Sequence, residues 1–451
     1  MFSTTLLRMA IAAASAAILM SLLTGSERRL QAAAGVALLG VIIAITLFDM
    51  VVRRFEISNI KYFILASYAI FLGLGMLIDV GDPSYFFSRS AIALTLGGLA
   101  CFLAGFYWQD NRPKRRRLEN ATFSLTTNQL FITALLFYLI GFAFLYAEWQ
   151  LYGQLQSYSG QLVSSRGIPA TPMPLLHVFA QLVGPASFIT LVLVRRGTTP
   201  VRKGILVALF TVTLIWYLLW GARESFLALA IAFVIVWAEI PGSRTTNGVS
   251  LAPALAVCLA LGIMLGLSVV RTHWDFSRAQ AEGLSGANEK VRDSINMFGQ
   301  LRRTVDFFPA RTQFLNGYSF YGVAASVVPR VWWPGKPIGV GKLTSILYDH
   351  NPGSSIALSL PGELYANFGI PGSLMGMLLF GALIGGICRW YRRRRGCNAT
   401  VIIYANLVAW MFLEVRGDIL DSTAPLLYHF VPLILMFSVF TYVNKLITRT
   451  S

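Results

Sequence analysis

The stretch 31–52, QAAAGVALLGVIIAITLFDMVV, decides the class of fold. No charged side chain occurs in 31–48, and a helix needs about 20 predominantly apolar residues to cross the hydrocarbon core of a bilayer. The whole chain has 56% hydrophobic and 13% charged residues, whereas an average soluble domain has about 25% charged residues. The sequence therefore predicts a membrane protein. Its net charge of +17 comes from short basic clusters between apolar runs, which is a membrane pattern and not a nucleic-acid-binding one.

Apolar runs of this kind recur and predict an all-α polytopic membrane protein with twelve transmembrane helices. The predicted spans are 4–24, 31–52, 61–79, 89–108, 128–148, 174–194, 203–220, 224–240, 249–270, 370–388, 399–414 and 425–444. We divide the chain into N-terminal helices (1–127), central helices with an outer loop at 149–173 (128–270), a long outer loop (271–369) and C-terminal helices (370–451).

Lysine and arginine residues in the short loops set the predicted orientation, because cytoplasmic loops carry an excess of them. Loops 109–127, 195–203 and 389–398 are strongly basic and share one side if the chain has twelve spans. That side, with both termini, is predicted to be cytoplasmic, although Arg28 and Arg29 then fall outside. The remaining large or tight connections on the outer side are 149–173, 221–223, 271–369 and 415–424.

The long outer loop 271–369 departs from the charge rule, with ten Lys/Arg against seven Asp/Glu. Long loops cross the membrane largely regardless of charge. We interpret basic residues kept on the outer side as the sign of an anionic ligand there.

Five basic side chains on the outer side are candidate ligands for a pyrophosphate, since arginine forms forked contacts with phosphate oxygens. They are Arg223, Arg271, Arg330, Lys336 and Arg416. Each also has a plainer interpretation as an interfacial anchor, and Arg223 can pair with the adjacent Glu224. The predicted orientation was derived from other residues, yet it places all five on the outer side. This agreement favours the anion site.

Three groups are candidates for a general base that removes a proton from a hydroxyl: Glu363, His350 and Asp418. The alternative for Glu363 is that it balances an arginine at the interface. Four aromatic residues can stack on sugars or lie at the headgroup level. They are Trp274, Trp332, Trp333 and Tyr348. The cysteines have no metal-type spacing and the outer loop has no DxD-like pair, so we expect no metal.

Four sequence patterns carry a resemblance to a known family. They are the Gly-x-Arg turn at 221–223; Pro329, Trp333, Pro334, Gly335 and Pro337; Gly362, Glu363, Asn367 and Gly369; and Arg416-Gly417-Asp418 followed by Asp421. With these patterns, roughly residues 150–430 resemble the Wzy family, the polymerases of lipid-linked oligosaccharide repeat units that build O-antigen and related envelope polysaccharides. Residues 1–127 match only as generic membrane spans.

The resemblance implies a glycosyltransferase of the bacterial inner membrane with the GT-C-like architecture of lipid-donor enzymes. It would transfer a growing glycan from undecaprenyl pyrophosphate to the non-reducing end of an incoming undecaprenyl-linked repeat, on the periplasmic face and without a cofactor. The implied partners are these lipid-linked oligosaccharides and membrane lipids, with no nucleic acid; binding of a chain-length regulator stays open. In this scheme Arg223, Arg271 and Arg330, and then Arg416, stabilise the pyrophosphate. Glu363 is the first choice of base.

Three rival functions stay open at this point. An O-antigen ligase would share the fold, the donor and the outer arginines. A multi-span transporter or lipid-linked oligosaccharide flippase is disfavoured, because such proteins line a path with charges at membrane depth and are often built from repeats. A structural scaffold would need the outer arginines only for folding.

Overall fold

The computed structural model describes residues 27–52, 55–82, 85–111, 123, 125–152, 178–220, 223–240, 262, 292, 295–326, 328, 332–333, 335–349 and 356–450. The elements in these ranges are helices, which we number α1 to α13. They are α1 (Glu27–Val51), α2 (Ile60–Asp79, with a π-helical segment at Ala69–Gly73), α3 (Arg89–Asp110), α4 (Thr127–Tyr152), α5 (Val183–Arg196), α6 (Pro200–Trp220), α7 (Arg223–Glu239), α8 (Met297–Phe307), α9 (Tyr318–Ser326), α10 (Val340–Asp349), α11 (Leu360–Arg393), α12 (Asn398–Glu414) and α13 (Ile419–Thr450).

Eight helices in the described ranges are long and apolar enough to cross a membrane. The candidate spans are Glu27–Val51, Ile60–Asp79, Arg89–Asp110, Thr127–Ala147, Val178–Arg196, Pro200–Leu218, Leu360–Arg393 and Ser422–Ile447. The predicted class, a helical protein that passes the membrane several times, is therefore confirmed. The predicted spans 224–240 and 399–414 correspond to the shorter α7 and α12. The spans 4–24 and, apart from Gly262, 249–270 lie outside the described residues, so the count of twelve stays a prediction.

The ends of the helices gather at two opposite ends of the bundle. At one, Gln31 near the start of α1 donates to Asp79 at the end of α2, with 2.9 Å between Nε2 and Oδ2. At the other, Arg395 after α11 pairs with Glu239, the last residue of α7. We call these the Glu363 end, after a residue in the first turn of α11, and the Arg395 end. Consecutive long helices alternate between the ends, as the predicted orientation requires. That the Arg395 end is cytoplasmic stays a prediction.

Helices α3 and α11 pack most closely because glycines remove side chains from their contact. A Cβ on Gly105 would overlap the carbonyl oxygen of Leu378, and one on Gly381 would overlap the carbonyl oxygen of Phe102. Small residues let membrane helices approach at backbone distance. This contact holds α11, which carries several candidate site residues, against α3.

The predicted span that begins at residue 370 corresponds to the second helical part of α11, because the backbone at Gly369 is not helical, whereas residues 360–368, predicted as loop, form the first helical part, which starts at Leu360. The sequence Pro361-Gly362 resembles a helix breaker, yet a proline in the first turn has no hydrogen-bond partner to lose. Gly369, at φ +69°, lets the chain kink between two helical parts of α11. Three shorter helices, α8, α9 and α10, lie within the same predicted loop.

Candidate functional site

Glu363 lies in the first turn of α11 and is fully buried. Its Oε2 accepts a hydrogen bond of 2.6 Å from the backbone N–H of Ile419, the first residue of α13. The free N–H groups and the dipole of a helix N-terminus favour a negative group at that point. In the described part Oε1 accepts no hydrogen bond of good geometry, although the Ser319 hydroxyl lies nearby. One carboxylate oxygen is therefore fixed and the other is left without a strong donor.

Asp418 immediately precedes α13 and joins it to α10. Its Oδ2 accepts from the backbone N–H of Gly341 at 2.9 Å, at the start of α10, while its carbonyl oxygen accepts from Ser422 N at 3.1 Å. Like Glu363, Asp418 is buried. Two motifs that are separated in the sequence, the one around Glu363 and the Arg-Gly-Asp turn at 416–418, thus meet at the N-terminus of α13.

Asn367 fixes α9, a helix within loop 271–369, on α11. Its Nδ2 donates to Ser319 Oγ at 2.7 Å and to the carbonyl oxygen of Glu363 at 2.8 Å. Its Oδ1 accepts from the N–H of Gly317 at 3.1 Å, where φ is +89°. The Gly-Glu-x-x-x-Asn-x-Gly pattern is therefore explained by contacts: the acid holds α13, the amide holds α9 and the last glycine forms the kink.

Ser359, just before α11, has a backbone conformation that is rare for a residue with a side chain. Its φ is +63° and ψ is +151°, it is fully buried, and its Oγ has no hydrogen-bond partner in the described structure. Such a conformation costs of order 1–3 kcal/mol and occurs preferentially at active and ligand-binding sites. The strain lies one turn from Glu363, whose N–H donates to the Ser359 carbonyl oxygen at 2.9 Å.

Arg416 is the one predicted arginine ligand whose side chain the structure describes. Its Nη1 donates to Glu224 Oε1 at 2.7 Å, and its guanidinium lies 5.8 Å from the centre of the Phe71 ring. The side chain of Arg416 is 9% exposed, while that of Glu224 is 48% exposed. Glu224, which the sequence suggested as a partner of Arg223, therefore contacts Arg416. A third buried acid, Glu414, accepts from Thr423 Oγ1 at 3.0 Å at the same end.

Lys336 is committed to the protein backbone. Its ammonium donates to the carbonyl oxygens of Ser326 and Val328, each at 3.0 Å, and so completes the C-terminal end of α9. Cations are favourable where the last carbonyl groups of a helix lack partners. The predicted phosphate contact of Lys336 would have to compete with this pairing.

The predicted sugar-stacking residues differ in accessibility. Trp332 is 79% exposed, whereas Trp333 contacts the edge of Tyr321 with ring centres 5.8 Å apart. Tyr348 packs against Phe307 at 4.4 Å, and burial raises the pKa of its hydroxyl to about 12. Of these three, Trp332 offers the open ring face that stacking on a sugar needs.

Acidic side chains of the chain itself pair with some of the basic residues in loop 271–369. The sequence alone had suggested a ligand for these basic residues. Arg302 is 1% exposed, and its Nε lies 3.0 Å from Asp79 Oδ2. Arg311 lies 3.5 Å from Asp306. The pair Arg302–Asp79 anchors α8 to the end of α2, and sequence reasoning missed it because the two residues are separated by 223 positions.

Several predicted site residues lie outside the described residues. They are Arg271, Trp274, Arg330, His350 and the side chain of Arg223. Their roles stay predictions. Among the residues searched, no group of three or more His, Cys, Asp or Glu side chains could hold a metal ion.

The comparisons name no relative. Family models, curated proteins and solved structures were compared with the chain, and none matches it.

Proposed function

We propose that this membrane protein polymerises lipid-linked oligosaccharides, transferring a growing glycan from undecaprenyl pyrophosphate to a hydroxyl of an incoming lipid-linked repeat unit. One observation supports the proposal above the others: Glu363 and Asp418 meet at the N-terminus of α13, and Glu363 keeps one oxygen without a strong hydrogen bond. The strained backbone at Ser359, next to these two residues, also supports a functional site there, because proteins retain such strain mainly at functional sites.

The proposed reaction needs a base and a stabiliser of the leaving group. Glu363 Oε1 takes the proton of the acceptor hydroxyl while the hydroxyl oxygen attacks the anomeric carbon of the donor. The bond between that carbon and the pyrophosphate oxygen breaks, and the electron pair leaves with undecaprenyl pyrophosphate. Guanidinium groups placed where this charge develops supply electrostatic stabilisation. The candidates are Arg223, Arg271, Arg330 and Arg416.

Holding one oxygen of a base is a means of orienting the other. The Ile419 N–H bond fixes Oε2 through a rigid helix N-terminus. The carboxylate is thereby restricted in rotation, so Oε1 presents one direction to a hydroxyl. Precise positioning of a reacting group is worth several kcal/mol in enzymes.

The glycan ladder of a strain that lacks the protein is the first test. A polymerase deletion leaves single repeats on the final acceptor, whereas a ligase deletion leaves polymer on the lipid carrier. Long chains on the final acceptor in the deletion strain would overturn the proposal.

The second test separates an enzyme from a transporter. Purified protein in vesicles without an ion gradient is expected to elongate an undecaprenyl-linked repeat unit. Absence of elongation by a folded protein that nevertheless moves lipid-linked oligosaccharide across the vesicle would favour a flippase and contradict the proposal.

A further inference from the structure

A cavity of about 630 Å³ opens on the side of the bundle at the Arg395 end. Helix α11 contributes most of its lining residues, and α12, α13 and the end of α3 contribute others. The lining side chains include Leu383, Trp390, Leu407 and Ile434, and are predominantly apolar. Leu383 is 55% exposed, so the cavity is a groove that faces outward from the bundle.

The groove has the length of one half of a bilayer. Arg394 comes eleven positions after Leu383, so at 1.5 Å per residue the α11 side of the groove runs about 17 Å. The hydrocarbon core of a bilayer is about 30 Å thick, and each leaflet takes half of it. Because α11 is one of the candidate spans, the groove lies where acyl chains lie.

Polar groups occupy one end of this groove. Arg394 and Gln109 line it together with Trp390, and the Arg394 guanidinium lies 5.7 Å from the Trp390 ring centre. In the described structure Arg394 Nε and Gln109 Oε1 are buried atoms without hydrogen-bond partners. Buried polar atoms of this kind normally have a partner, which indicates that a ligand or solvent completes the site.

Arg394 differs in its ion pairing from the arginines beside it in the sequence. Arg392 pairs with Asp110, and Arg395 lies 2.8 Å from Glu56 and 3.0 Å from Glu239. Arg394 makes no ion pair among the described residues, although it lies between them in the sequence. Its charge is therefore available to an anion at the end of an apolar groove.

We propose that this groove binds an anionic glycerophospholipid, with one acyl chain along α11 and the phosphate on Arg394. A hydroxyl of the headgroup would donate to Gln109 Oε1, the atom that lacks a donor in the described structure. Basic pockets between membrane helices on the cytoplasmic side are known to take anionic headgroups, and the sequence places the Arg395 end on that side. The site does not rest on the proposed polymerase function, because Arg394 follows the last residue of α11 and Glu363 lies in its first turn, at the opposite end of the helix.

Lipid retention measured by native mass spectrometry tests this proposal. The purified full-length protein is equilibrated with equal amounts of phosphatidylglycerol and phosphatidylcholine, and bound lipids are counted. Wild-type protein is expected to retain phosphatidylglycerol preferentially. Arg394→Ala is expected to reduce that preference about fivefold, the effect of one basic residue near an anionic lipid surface.

Two further variants keep the result decisive. Arg393→Ala removes the adjacent arginine, which is not among the groove-lining residues, and should leave the preference unchanged. Gly386→Leu should reduce retention of both lipids by filling the groove, since a Cβ there meets nothing closer than Gln109 Nε2 at 3.6 Å. An equal effect of Arg393→Ala and Arg394→Ala, or an unchanged preference in a folded Arg394→Ala protein, would overturn the proposal.

Discussion

Replacing Glu363 by glutamine separates a catalytic base from a structural acid. Glutamine has the shape of glutamate, and its amide oxygen can still accept the Ile419 N–H bond of 2.6 Å. Because this bond is kept, we expect Glu363→Gln to lower the free energy of unfolding by less than about 1 kcal/mol, the net contribution of one hydrogen bond. The substitution removes the basic oxygen that the proposed reaction needs.

The expected loss of activity is much larger than the loss of stability. A positioned general base contributes typically about 10²–10⁴-fold to the rate. This range corresponds to about 2.7–5.4 kcal/mol of transition-state free energy. Glu363→Ala should additionally destabilise the protein by about 1–3 kcal/mol, because the N–H group of Ile419 would lose its buried partner.

Elongation of a purified undecaprenyl-linked repeat, expressed per mole of folded protein, measures the first effect, and the thermal unfolding midpoint measures the second. Glu414→Gln is the matched control, since Glu414 is another buried acid at the same end and has its own donor in Thr423. A Glu363→Gln protein that retains activity comparable with the control would refute the role of base and leave Glu363 as a link between α11 and α13.

Three further predictions concern the framework of the site. Arg302→Met should destabilise the protein by about 3–5 kcal/mol because it leaves Asp79 charged and unpaired in the interior; chemical denaturation measures this, and an equal cost in an Asp79→Asn background would contradict the pairing. Gly381→Leu should cost about 1–3 kcal/mol or more, since its side chain would overlap the backbone of α3; Gly40→Leu, with open space around the Cβ, is the control, and equal unfolding midpoints would be the contrary result. Lys336→Met should speed hydrogen exchange in the last turn of α9 by about tenfold, corresponding to 1.4 kcal/mol for its two charge-assisted bonds; unchanged exchange would show that the ammonium does not hold that turn.

Much of the fold could be predicted from composition and run length, and the reason is the solvent. A bilayer core requires long apolar helices. Stretches such as 31–52 and 128–148 can therefore be predicted as membrane spans without any knowledge of the segments that pack against them. Short helices in loop 271–369 gave no such signal. The start of α11 at Leu360 was also missed, because proline and glycine near a helix start look the same as they do in a loop.

The candidate site was predictable only as a set of residue types. The sequence indicated Glu363 and Asp418 as acids on one side, but nothing in the spacing indicated that both contact helix N-termini, at Ile419 and Gly341. Nor did it distinguish Lys336, which the backbone of α9 holds, from a free phosphate ligand.

The sequence by itself determined that this chain passes the membrane several times, because transfer of an apolar segment into hydrocarbon depends on that segment alone. Only the tertiary structure decided which charges balance each other. Asp79 with Arg302 and Glu224 with Arg416 are pairs between distant segments, and an electrostatic interaction depends on distance in space and on burial, neither of which separation along the chain reveals.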